Sequence, residues 1–251
     1  MNKKKLISVI IPYYKKKFFF KKTFNSVSQQ KYKNFEVIII YDDEDKTDLN
    51  YVKSVIKNSR NTKLIINKKN LGAGNSRNKG IKISNGKYLS FIDADDLWKK
   101  DKLKLQYDFM VKNNFNITHT SYEIVNSNDK IVGYRLAKKI QNYKNLISSC
   151  DIGLSSVMIK KNILKNYKFS NLITKEDYSL WLKLSKKYPI YGLNNVLVKW
   201  RKTDNSLSSN NIQKFKDAFS IYYYQENYNF INSIMKVLIL SMNYLKKTLI
   251  K

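Results

Sequence analysis

Short apolar runs alternate with mixed segments along the first hundred residues. Residues 7–11 form a β-branched run that ends at Pro12, and Phe35–Tyr41 (FEVIIIY) is apolar almost throughout. Residues 63–66 and 88–92 are two further runs of strand length. Between these runs, residues 18–30, 47–59 and Gly72–Ile83 are compatible with helices. Near-continuous apolar strands separated by helical segments predict a parallel sheet covered on both faces. In such a sheet ligands sit beyond the carboxyl ends of the strands.

The second half is more mixed. Leu97, Leu103, Tyr107 and Met110 predict a helix over 97–113, and residues 117–125 and 131–136 predict an antiparallel pair around SNDK. Residues 155–159 are another short apolar run. Leu180, Trp181 and Leu184 share one face of a helix over 176–188, and 193–200 reads as a strand. From about Asn210 the composition shifts to tyrosine and asparagine, then to an amphipathic tail. The expectation is one α/β domain with a C-terminal helical extension.

Composition narrows the partners. The 251 residues carry 48 Lys+Arg against 19 Asp+Glu, a formal charge of +29 that calls for an acidic partner or reflects a lysine-rich coding bias. The single Cys150 excludes an internal disulfide and fits a reducing compartment. No apolar stretch approaches the roughly 20 residues of a membrane span, and the 7–11 run is too short for a signal core. A soluble or peripheral protein is expected.

Because acids are scarce, their placement is informative. Nine of the 19 fall in three groups: Asp42-Asp43-Glu44-Asp45, then Asp93, Asp95 and Asp96, then Glu176-Asp177. Carboxylates this close raise one another's pKa unless a lysine, solvent or a metal ion sits among them. Asp93-Ala94-Asp95 follows a strand, where two carboxylates can hold a hard cation such as Mg²⁺ or Mn²⁺; Asp95 or Asp96 can equally cap a following helix. NLGAGNSRNKG (70–80) offers Gly72 and Gly74 for close backbone approach and Arg77 for a phosphate, or is a turn before a helix. Thr174-Lys175-Glu176-Asp177 reads as a capping box, or presents Asp177 as a general base.

The order and spacing of these segments resemble the family 2 glycosyltransferases of the GT-A fold, over roughly residues 5–208. SVIIPYY is similar to that family's opening strand, NLGAGNSRNKG and FIDADDLW to its central motifs, and KWRKTDNSLS to its late segment. The resemblance implies a Rossmann-like mixed sheet flanked by helices. It also implies a nucleotide-binding half at 1–96, an acceptor-binding half at 97–208 and an extension at 209–251. By the same resemblance Pro12, Tyr14, Asp42 or Asp43, Arg77 and Asp93 would hold the nucleotide-sugar. Asp95 would ligate Mg²⁺ or Mn²⁺, Asp177 would be the catalytic base, and Glu176 and Trp181 would shape the acceptor site.

Two positions depart from the family pattern: Lys15 stands where Asn usually follows the opening motif, and Thr203 where a late histidine is usual. The implied activity is metal-dependent, inverting transfer from a nucleotide-sugar, uridine-linked by expectation, to a glycan or lipid-linked acceptor in surface-polysaccharide assembly. It would act on the cytoplasmic side, with no specific nucleic-acid partner. Rival readings are a charge-driven nucleic-acid binder, a nucleotidyltransferase and a non-catalytic relative. His119 and Cys150 read as structural, and Tyr222–Tyr224 as packing. In the tail, Ile231, Ile234, Val237, Leu238 and Leu245 recur at helical spacing with lysines flanking them. That suits an anionic membrane surface, and equally a helix packed on the domain or on a second subunit.

Overall fold

A computed structural model describes residues 2–203 and 210–249. Four parallel strands open the fold: β1 (Ile7–Tyr13), β2 (Phe35–Tyr41), β3 (Thr62–Ile66) and β4 (Tyr88–Phe91). Helices α1 (Lys17–Ser28), α2 (Leu49–Ile56) and α3 (Gly72–Ile83) connect them. In the sheet these strands run in the order β3-β2-β1-β4. The chain therefore steps one way from β1 and returns to its other side, which leaves a crevice beyond the carboxyl ends of β1 and β4.

The remaining strands extend the same sheet. They are β5 (Leu97–Trp98), β6 (Ile117–Val125), β7 (Ile131–Arg135), β8 (Ile140–Gln141), β9 (Met158–Lys160) and β10 (Ile190–Arg201). β9 pairs antiparallel with β4 and β6, β10 runs parallel to β6, and β7 is antiparallel to β6. The result is a mixed ten-stranded sheet with the order β3-β2-β1-β4-β9-β6-β10-β5 along its main path.

Alternation along β1 divides its side chains between two cores. Ile10 joins a cluster on one face, while Ile7, Val9 and Ile11 join the other. Helices α5 (Tyr143–Leu146) and α6 (Glu176–Ser185), then α7 (Asn211–Ser220) and α8 (Phe230–Leu249), lie in the second half, with α4 (Lys102–Lys112) before them. Ala218, Ile221, Tyr222, Val237 and Leu240 enter the Ile10 core, so the C-terminal helices complete that core. The boundary expected at 208/209 and all of DNSLS (204–208) fall outside the described residues.

Two local expectations change. The helix expected over 97–113 begins only at Lys102, because Leu97-Trp98 pairs antiparallel with β10 at Lys199 and Val198. The cap of that helix is Asp101, neither Asp95 nor Asp96. The capping box at Thr174 is not formed either. Its N–H and hydroxyl both donate to Asp217 Oδ2, at 2.7 and 2.8 Å, and Lys175 precedes α6 in a left-handed conformation (φ 60°).

Candidate active site

β1 delivers Pro12 and Tyr14 to the crevice edge. Tyr13 is buried and donates to Asp48, while Tyr14 next to it is exposed. Lys15 has φ 48°, a left-handed conformation that asparagine tolerates better than most residues. The lysine therefore meets the same backbone requirement at some cost in strain. Lys16, which follows, extends to Asp95 Oδ2 at 2.7 Å.

At the end of β2 the two aspartates have separate tasks. Asp42 Oδ1 accepts from Asn67 Nδ2 (2.7 Å) and from the Leu71 N–H (2.9 Å), which ties β2 to the start of α3. The Asp43 carboxylate accepts from the Asp45 backbone N–H, yet burial, then the charge of Asp45, pushes it above the usual range. Of the pair, Asp43 carries the lighter load, one backbone hydrogen bond against the two that Asp42 accepts.

The glycine-rich segment acts as an internal clamp. A Cβ on Gly74 would lie 2.4 Å from the carbonyl oxygen of Ser170, so only glycine lets α3 approach that segment. Asn78 exchanges hydrogen bonds with the backbone of Phe169 at 2.9 Å in both directions. Arg77 then reaches Asp93 Oδ1 with Nη2 (2.6 Å) and Glu176 Oε1 with Nη1 (2.5 Å). Burial disfavours the charged guanidinium, but the two carboxylates outweigh it. Arg77 thus joins the end of β4 to the start of α6 and is already committed within the protein.

Past β4 the chain turns, with the Asp96 N–H on the Asp93 carbonyl. Asp96 is fully engaged: Ser155 Oγ donates to its Oδ2 at 2.5 Å and the Arg201 N–H to its Oδ1 at 2.7 Å. Burial, then Asp95, raises the Asp96 carboxyl well above its ordinary value. Arg201 also donates from Nε to the Asp95 carbonyl at 2.8 Å and pairs with Asp129, which fixes the Asp95 backbone. Asp95 is lifted by burial and pulled partly back by Lys16.

Asp177 is treated differently. Its Oδ1 accepts from the Tyr178 N–H at 2.7 Å, and no cation pairs with it among the described residues. Burial first, then Glu176, pushes its carboxyl up to about 7, with Arg77 partly opposing. Such a group exchanges a proton near neutrality, as a general base must. The Trp181 ring is wholly buried against Phe169, whose own ring backs the Arg77 guanidinium, so it supports the clamp from behind.

Lys16, Ser155 and Arg201 were not singled out as site residues from sequence. Arg201 had a signal in KWRK, whereas Ser155 lies 59 residues from Asp96 with no motif around it. The Thr203 hydroxyl is buried with no hydrogen-bond partner among the described residues. His119 is buried and pulled down to about 4 by desolvation, hence neutral, and burial holds the Cys150 thiol at about 12. Tyr222 is buried in the core, while Tyr224 is exposed.

A resident Mg²⁺ or Mn²⁺ can be tested against these donors. Among the described residues no group of three or more His, Cys, Asp or Glu forms a cage. Hard cations bound with a substrate diphosphate need only one or two carboxylates, and Asp95 supplies one at the crevice. The donor set fits an ion that shares its shell with the substrate.

Comparison with known proteins bears on this arrangement. The family described as glycosyl transferase family 2 matches residues 8–168. The UDP-Glc:alpha-D-GlcNAc-diphosphoundecaprenol beta-1,3-glucosyltransferase WfgD of Escherichia coli is 32% identical over 218 residues, 86% of this chain and 85% of WfgD. The putative teichuronic acid biosynthesis glycosyltransferase TuaG of Bacillus subtilis (strain 168) is 30% identical over 253 residues, 99% of each chain. S. aureus TarS 1-349, solved in complex with UDP, superposes with a TM-score of 0.67 at 21% identity, covering 95% of this chain and 70% of that one.

Proposed function

The chain belongs to glycosyl transferase family 2, and from that premise we propose that it moves a sugar from a UDP-linked donor to a hydroxyl of a lipid-linked acceptor, with inversion. The setting would be surface-polysaccharide assembly: TuaG is named for teichuronic acid biosynthesis, and WfgD for transfer to a diphosphoundecaprenol-linked sugar. Membership displaces the nucleic-acid reading of the +29 charge.

The observation that carries the reading is the contrast inside Glu176-Asp177. Arg77 neutralises Glu176, while Asp177 beside it has no ion-pair partner among the described residues and its carboxyl is pushed up to about 7. Asp177 would accept the proton of the acceptor hydroxyl as its oxygen attacks the anomeric carbon. The nucleoside diphosphate departs on the opposite side and takes the bonding electron pair, so one displacement inverts the centre. Asp43 is the better placed of its pair for the nucleobase, since Asp42 is spent on Asn67 and Leu71. Pro12, Tyr14 and Asp93 would line the donor, and Glu176 the acceptor side. Asp95 would hold Mg²⁺ or Mn²⁺, which when bound neutralises charge on the leaving diphosphate.

A lipid-linked acceptor places the enzyme at a bilayer. No helix among the described residues is long and apolar enough to cross a membrane. α8 turns Ser233, Val237 and Leu240 inward and leaves Ile231, Met235, Leu238 and Met242 exposed on the opposite side. On a strongly basic chain that face suits anionic lipid, where each nearby basic residue adds about 1 kcal/mol. Flotation with phosphatidylglycerol vesicles but not phosphatidylcholine vesicles is expected, and is lost in Leu238→Glu/Met242→Glu.

The direct test offers a panel of UDP-sugars with a synthetic GlcNAc-diphospho-lipid. Release of UDP and a product of inverted anomeric configuration by NMR are expected. Retained configuration, or release of pyrophosphate, defeats the reading.

A further inference from the structure

The carboxylates beyond β4 are not equally available. Asp93 is held by a buried arginine, and Asp96 by Ser155 and the Arg201 backbone. Asp95 has a partner of another kind. Lys16 lies at the start of α1 on a flexible four-carbon stem, its side chain 27% exposed, with Nζ 2.7 Å from Asp95 Oδ2. The Asp95 carboxylate is 12% exposed, and its backbone carbonyl is fixed by Arg201. So the carboxylate stays in place while the ammonium can swing away.

We propose that Lys16 and a divalent cation are alternative occupants of Asp95, so that the cation enters together with the donor diphosphate and not before it. This rests on the assignment of Asp95 as the residue that holds the ion. The argument is one of charge. With Lys16 in place, Asp95 already has its counter-charge, and a dication sharing that carboxylate would face an ammonium within a few ångströms. A diphosphate changes both terms. It offers Lys16 a second anionic partner close to the crevice, and it supplies the oxygen ligands that a single carboxylate cannot. Nucleotide and ion then bind with positive coupling, and the coupling is reciprocal. Lys16 serves as a positioning residue: it keeps the site closed to free cations and releases it when the donor arrives.

The test is Mn²⁺ binding by the full chain, read as loss of the free-ion EPR signal, with and without UDP. Lys16→Met is expected to bind Mn²⁺ about tenfold more tightly than wild type without nucleotide, within the 5–150-fold span of ordinary site coupling. The enhancement by UDP should shrink by the same factor, and Lys16→Arg should restore wild-type behaviour. Equal Mn²⁺ affinity for Lys16→Met and wild type without UDP overturns the proposal alone. Failure of wild type to bind Mn²⁺ even with UDP, or undiminished binding by Asp95→Asn, overturns the Asp95 assignment and the proposal with it.

Discussion

At the end of β4 Asp93 and Asp95 each meet a cation, Arg77 and Lys16, at 2.6 and 2.7 Å. At the start of α6 the arrangement reverses. Glu176 takes the other arm of Arg77, and Asp177, one residue on, has only the Tyr178 N–H among the described residues. Carboxyls are raised in both regions, but at Asp95 Lys16 pulls the shift partly back, whereas Asp177 lies beside Glu176 with only the already shared Arg77 opposing its rise. The difference lies in where the few buried cations are spent, since burial alone pushes every carboxyl upward.

Removing the exchanging group should have the largest effect. Asp177→Asn is expected to lower kcat/KM by about 10²–10⁴, the usual contribution of a positioned base. Its stability should move the other way. A folded-state pKa raised to about 7 favours folding at low pH and is lost as pH rises through 7. Asp177→Asn should therefore melt higher than wild type at pH 8 and show no such advantage at pH 4. Equal melting at both pH values breaks the contrast.

Breaking the shared cation comes next. Arg77→Met leaves Asp93 and Glu176 without their counter-charge and should cost about 3–5 kcal/mol in urea unfolding. Because Arg77 also opposes the rise of Asp177, the acid limb of kcat/KM in any folded fraction should move above 7.

The smallest effect sharpens the comparison. Wild-type kcat/KM should fall about tenfold per pH unit below 7, as the base is lost to protonation. After burial, Glu176 is the next cause of the raised value, so Glu176→Gln should move that limb to lower pH. An unmoved limb in a pH–rate series assigns the ionisation to another group.

How much of this was legible beforehand depends on range. Gly72–Ile83 was read to the residue, and the four opening strands were found, because their signals are local and periodic. β5 was read as helix since two residues carry no period, and its state is decided by pairing with β10 a hundred residues away. The acidic groups were visible as exceptions in a basic chain. Their partners were not: nothing near Asp95 in sequence points to Lys16, and no motif announces that Gly74 lacks a side chain to admit Ser170. Helical spacing gives Trp181 a face without saying what that face meets, which is Phe169.

Arg77 bridges residues 16 and 99 positions further along the chain. A ribosome working N-terminus first, at about 5–20 residues per second, needs roughly 5–20 s to travel from the arginine to its second acidic partner. Throughout that interval the guanidinium can close only half of its bridge. The α6 side of the cleft thus cannot be joined to β4 until residue 176 has been made.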